Sequence, residues 1–170
     1  MLRADGFQTA VTHVRSKWPI GRCEVARYLV VANQTLGGED LLERLRELVA
    51  DGQSEIHVLV PASVDPTEAF HDEDSDRRLA RERLDQALAR FGELEAPVTG
   101  EIGDHRPADA VGDLLRRGER FDRVIVSTLP AAVSRWLRLD AVSQVERAVV
   151  DVPVEHVIHD VKDTADRDRG

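Results

Sequence analysis

The sequence predicts an α/β domain with a five-stranded parallel sheet and helices on both faces. Three observations predict it. Short apolar runs rich in β-branched residues alternate with segments of helical period. The runs lack a polar alternation, which suits strands covered on both faces. Their order is β-α-β-α-β-α-β-α-β, and such alternation calls for right-handed crossovers between parallel strands.

The first strand is Tyr28-Leu29-Val30-Val31-Ala32, followed by the turn Asn33-Gln34-Thr35-Leu36-Gly37-Gly38. Leu41, Leu42, Leu45, Leu48 and Val49 then share one helical face, and Asp51-Gly52 stops that helix. Ile56 to Val60 is the second strand, closed by Pro61. An acidic loop is expected from Asp65 through Asp76. Ala80, Leu84, Ala87, Leu88 and Phe91 mark the second helix, with Gly92 just past its end. Val98 to Ile102 is the third strand, and Gly103-Asp104 leads to Pro107, a residue suited to a first helical turn. Ala108, Val111, Leu114 and Leu115 define the third helix, ended by Gly118. Val124-Ile125-Val126 is the fourth strand and runs into Ser127-Thr128. Residues 130–149 read as two helical pieces, one around Val133, Trp136 and Leu137, the other bearing Val142, Val145, Ala148 and Val149. Pro153 precedes the fifth strand, Val154 to Ile158.

Residues 26–159 therefore form one domain, with an N-terminal extension over 1–25 and a charged tail over 160–170. The composition is 42% hydrophobic and 32% charged, with a formal net charge of -9. An acidic chain with scattered arginines argues against nucleic acid and against anionic membrane surfaces, because phosphate backbones need clustered cations. Cys23 is the lone cysteine, so neither an internal disulfide nor a thiolate metal cluster can form. No apolar run reaches the length of a membrane span. Together these features predict a cytoplasmic protein.

In sheets of this kind ligands bind beyond the carboxyl ends of the strands, where the strand order reverses. The rule selects Asn33, Pro61, Asp104, Ser127 and Thr128 as candidate ligand contacts.

The segment Phe121-Asp122-Arg123-Val124-Ile125-Val126-Ser127-Thr128, ahead of a loop and helix, resembles the universal stress protein family. Gly103-Asp104-His105-Arg106-Pro107 is similar to that family's third strand-to-helix turn, and Val152-Pro153-Val154 to its last turn. The resemblance spans residues 26–159 and implies a Rossmann-like fold, akin to the adenine nucleotide alpha hydrolases. It also implies ATP or AMP as ligand, and a homodimer paired through the last strand, Val154 to Ile158.

The ATP-binding members carry a loop of the form Gly-x2-Gly-x9-Gly-Ser/Thr after the fourth strand. Here the region from Ser127 to Ser143 holds no glycine, and Pro130, Ala131, Ala132 and Asp140 stand in it. Asn33 stands where those members tend to carry aspartate. The sequence therefore predicts a degenerate nucleotide pocket that does not hold ATP in the usual way. The alternative is a nucleotide site built from the hydroxyls of Ser127, Thr128, Ser134 and Ser143 together with Arg135, since a guanidinium pairs well with phosphate. Ser143, three residues before Glu146, fits a capping box at a helix start.

Other candidates are weaker. His71-Asp72-Glu73-Asp74 lacks the turn glycine of a cation loop. His156 and His159 are two ligands where zinc needs three or four. His57, within a strand, is expected to be a satisfied core or edge histidine. A Ser127/His105/Asp104 relay would need those strand ends to be adjacent. No Gly-x-Ser-x-Gly elbow, Walker loop or dinucleotide fingerprint is present. No catalytic residue and no metal site is assigned, and a regulatory, stress-linked role is the expected function.

Overall fold

The structure is a computed structural model that describes residues 25–62, 73–130 and 140–159. Its elements are β1 (Ala26–Val31), α1 (Glu39–Ala50), β2 (Ser54–Pro61), α2 (Glu73–Phe91), β3 (Val98–Gly103), α3 (Pro107–Arg116), β4 (Arg123–Thr128), α4 (Ala141–Ala148) and β5 (Val154–Ile158). The strands form one sheet in the order β3-β2-β1-β4-β5. Every pairing is parallel. This is the predicted Rossmann-like α/β fold, and its five strands fall where the apolar runs place them. The predicted helical piece around Val133, Trp136 and Leu137 lies outside the described residues, as do the charged tail over 160–170 and all of the N-terminal extension but Val25.

The sheet buries both faces. Leu41 and Leu45 of α1, with Leu84 and Phe91 of α2, cover Val30, Val58 and Ile125. Val111 and Leu114 of α3, with Val145 of α4, cover Leu29, Val31, Val124 and Val126. Each of these side chains is at most 1% exposed. Burying one such Leu or Phe stabilises the fold by about 1.5–3 kcal/mol. Few aromatic residues are needed, because Val and Leu pack the pleated surface densely.

Local chemistry explains the helix ends. Glu39 and Asp40 sit in the first turn of α1, where the helix dipole favours negative charge. Pro107 opens α3, and Gly118 follows it at φ +91°, a left-handed conformation that glycine adopts without strain. Two boundaries differ from the sequence expectation. The acidic run does not stay looped to Asp76, because α2 already begins at Glu73. Acidic residues suit a first turn, so they extend this helix instead of delaying it. The capping box at Ser143 does not form either. Asp140 is the N-cap of α4, at φ 55°, and Ser143 lies inside the helix. Aspartate tolerates the left-handed conformation, so the chain reverses there and the helix starts three residues early.

The topology sets the position of any ligand site. Chain order moves outward from β1 to β3, then returns to the far side of β1 at β4. The reversal therefore lies between β1 and β4, with Asn33 beyond one strand and Ser127-Thr128 ending the other.

Candidate functional site

Asn33 is 6% exposed, and both polar atoms of its amide are hydrogen-bonded. Nδ2 donates to the Pro61 carbonyl at 2.9 Å, linking the ends of β1 and β2. Oδ1 accepts from the guanidinium of Arg83 on α2. One helical repeat further on, Arg90 donates to the Gly37 carbonyl and pairs with Glu39. Residues seven apart share a helix face. One stripe of α2 therefore grips the turn from Asn33 to Glu39 at two points.

Ser127 and Thr128 are 1% and 2% exposed and point to opposite faces of β4. Thr128 Oγ1 lies 2.7 Å from His156 Nε2 on the edge strand β5. Burial pushes the His156 imidazole below its ordinary value, against a smaller opposing pull from Glu146. Ser127 faces the α1 and α2 side, and its Oγ is buried with no hydrogen-bond partner. Thr35 Oγ1, in the β1–α1 turn, is in the same state. A buried hydroxyl without a partner costs about 1–3 kcal/mol, so two at one end of a sheet call for an explanation.

The remaining predicted contacts do not converge. Asp104 follows β3, three strands from β4, roughly 14 Å away at about 4.8 Å per strand. There it accepts from the Arg106 amide at 2.9 Å and lies 2.9 Å from His105, both side chains being exposed. The Ser127/His105/Asp104 relay is therefore not assembled. Ser143 belongs to α4, which packs on the face opposite Ser127. Ser134 and Arg135 lie outside the described residues.

His156 and His159 point to opposite faces of β5 and cannot share an ion. His159 Nδ1 is 2.6 Å from Asp40 Oδ2, and its backbone amide donates to the Thr128 carbonyl at 2.8 Å. No cluster of three metal-ligating side chains is found among the described residues. None of the described helices is long and apolar enough to cross a membrane.

Sequence reasoning missed Arg83 and Thr35. Arg83 sits in a helix crowded with both charges, and only its seven-residue spacing from Arg90 distinguishes it. Thr35 lies within the β1–α1 turn, and nothing in its local sequence marks its burial. The usual glycine cradle for ATP finds no counterpart in the described part of the site: residues 127–130 and 140–143 contain no glycine, and Asn33 is committed to Pro61 and Arg83. Among the described residues, this end of the sheet holds two buried hydroxyls, Ser127 on β4 and Thr35 in the β1–α1 turn, and the Arg83 guanidinium bound to Asn33. A comparison with models of known protein families finds no match, and a comparison with curated proteins finds none either.

Proposed function

We propose that the chain is a cytoplasmic regulatory domain of universal stress protein type, with a degenerate nucleotide pocket that does not hold ATP in the usual way. The observation that carries this reading is the state of Asn33. One amide bond to Pro61 and one from Arg83 hold this side chain as a clamp between β1, β2 and α2, at the position where the ATP-binding members tend to carry aspartate. Added to a loop without glycines, this leaves the scaffold of a nucleotide binder without its usual contacts. Titration calorimetry with ATP tests it. Negligible heat is expected, and a sub-micromolar dissociation constant would overturn the reading.

A second reading is favoured by Ser127 and Thr35, whose buried hydroxyls lack partners at this same end of the sheet. Here ATP, AMP or a smaller anion is held by hydroxyls and by Arg135 in place of the glycine loop. Mass spectrometry of ligand released from the purified protein would detect it. A thermal shift with a nucleotide, lost in Arg135→Ala, would establish it over the first reading.

Either way, β5 is one of the two edge strands, no described strand pairs with its outer side, and Ile158 is 50% exposed. A bare edge strand presents unpaired backbone groups that a second strand can cover. We propose a homodimer paired through Val154 to Ile158, and light scattering that returned a monomer mass would refute it.

A further inference from the structure

Towards the other end of the sheet lies a second feature, independent of the nucleotide reading. His57 of β2 stands directly across from Thr99 of β3 in the strand register, on the face that α3 covers. Its ring stacks on Phe121 with centroids 6.1 Å apart. Nδ1 is 2.9 Å from Thr99 Oγ1. Nε2 is buried and unpartnered, the single such nitrogen among the described side chains. His57 is therefore half satisfied, contrary to the expectation of a satisfied histidine.

The unpartnered nitrogen faces a carboxylate. Glu101 Oε2 lies 3.9 Å from it, too far for a hydrogen bond but close enough for a small side-chain rotation to make one. The other oxygen, Oε1, accepts from the guanidinium of Arg117, the C-cap of α3. One carboxylate thus meets two donors' positions, with one bond made and one open.

The remaining charges around the ring are spoken for. Burial pushes the imidazole below its ordinary value, outweighing the pull of Glu101 and Glu119, while Arg27 and Arg117 act in the same sense as burial. Arg27 binds Glu119 at 2.9 Å and lies 3.5 Å from Glu55, which shares a face of β2 with His57. Glu101 is the carboxylate within reach of Nε2.

We propose that this corner is an acid-operated latch: a proton taken up by His57 draws Glu101 onto Nε2, and the carboxylate then bridges β2 and the end of α3. An imidazolium carries a hydrogen on both nitrogens. Nδ1 then donates to Thr99 and Nε2 to Glu101, whichever neutral tautomer it came from. The partners present therefore complete the charged ring and leave the neutral one with an idle nitrogen. The ligand is the proton alone, so the sealed position of Nε2 is no obstacle. It enters by a brief opening beside Glu101, whose side chain is 35% exposed. Closing the latch returns part of the cost of charging a buried ring.

Nitrogen–proton NMR of the full chain, followed from about pH 8 to about pH 5, tests the latch across the range where histidine titrates. In acid a His57 Nε2–H signal in slow exchange with water is expected. The Arg117 and Gly118 amides, bonded to Asp113 and Leu115, should also exchange more slowly once the intrinsic pH effect is divided out. Glu101→Gln should lower the proton affinity of His57 about tenfold, as expected when an opposite charge at this range is lost. Glu101→Asp keeps the charge but is a methylene short, and should lose most of that factor too. Unchanged affinity in Glu101→Gln, an Asp variant equal to the wild type, or no added protection at Arg117 and Gly118 overturns the proposal. If a variant fails to fold, the wild-type signal decides: an Nε2–H that exchanges rapidly in acid refutes the latch.

Discussion

The Arg83 guanidinium, on α2, donates to Oδ1 of Asn33, just beyond the end of β1. The same amide holds the Pro61 carbonyl, so three elements meet at one side chain. Asn33→Asp keeps the acceptor for Arg83 but removes the donor to Pro61 and sets two acceptors against each other. A loss of about 1–3 kcal/mol is expected, the cost of an unmade buried hydrogen bond. Urea denaturation should show a lower midpoint at unchanged slope. A variant as stable as the wild type would mean that the Pro61 bond carries no weight.

Glu155 ties the edge strand to its neighbours. Arg123 of β4 binds it at 2.8 Å, and Arg44 of α1 binds both of its oxygens. Glu155→Gln should cost about 1–3 kcal/mol, as expected for bonds between charged partners that are partly buried. Hydrogen exchange should speed up at the β5 amides before it does so in β1 or β2. Equal acceleration in all three strands would show that the cluster is not specific to the edge.

Acid should lower the stability of the protein over two separate pH windows. Burial pushes His57 below its ordinary 6.5, outweighing Glu101 and Glu119, and burial does the same to His156. The unfolded chain thus takes up these protons first, so this stability is complete above about pH 6.5 and is lost as pH falls towards the folded values. Glu155 acts lower. Burial would raise its carboxyl, but the bonds from Arg44 and Arg123 prevail and hold it below 4.5. Its contribution is present above that pH and is lost as pH falls through the folded value. His57→Gln should flatten the upper window and Glu155→Gln the lower one in stability measured against pH.

Three glycines should respond differently to alanine. A Cβ on Gly100 would stand 2.8 Å from the Val58 carbonyl oxygen and 2.6 Å from Leu84 Cδ1. One on Gly103 would meet the Ala110 Cβ at 2.6 Å. Overpacking of this kind costs about 1–3 kcal/mol, with Gly100→Ala the worse because a backbone atom cannot move aside. Gly112 lies inside α3 with only the end of Arg116 nearby, at 3.6 Å. Gly112→Ala should stabilise by about 0.5–1 kcal/mol. Thermal melts of the three variants would check the ranking.

The fold was legible because hydrophobic period is a local property. Val30 and Ile125 betray strands, and Leu41 with Leu45 betrays a helix, without knowledge of any partner. The candidate site was legible in part, because Asn33 and Ser127 end strands that flank the reversal. What failed depended on relations between distant segments. Both Asp104 and Ser127 follow strands in the sequence, but only the strand order reveals that β2 and β1 lie between them. The orphaned nitrogen of His57 follows from the β2–β3 register, which sets Thr99 opposite it. Gly100 and Gly103 read as a strand residue and a turn residue, whereas each marks a place where a helix presses on the sheet.

His159 presses against Gly38 so closely that a Cβ there would stand 2.8 Å from its Nδ1. The same ring grips Asp40, and its amide hangs from Thr128. The terminal residue of the described edge is thus a keystone in the rim at the carboxyl end of the sheet. A subunit that docked on β5 would be touching the frame of that rim, and a chain trimmed before His159 would lose its brace. Were a second copy to pair with β5 as proposed, assembly at the edge and order at the β1–α1 turn would be, in mechanical terms, one property.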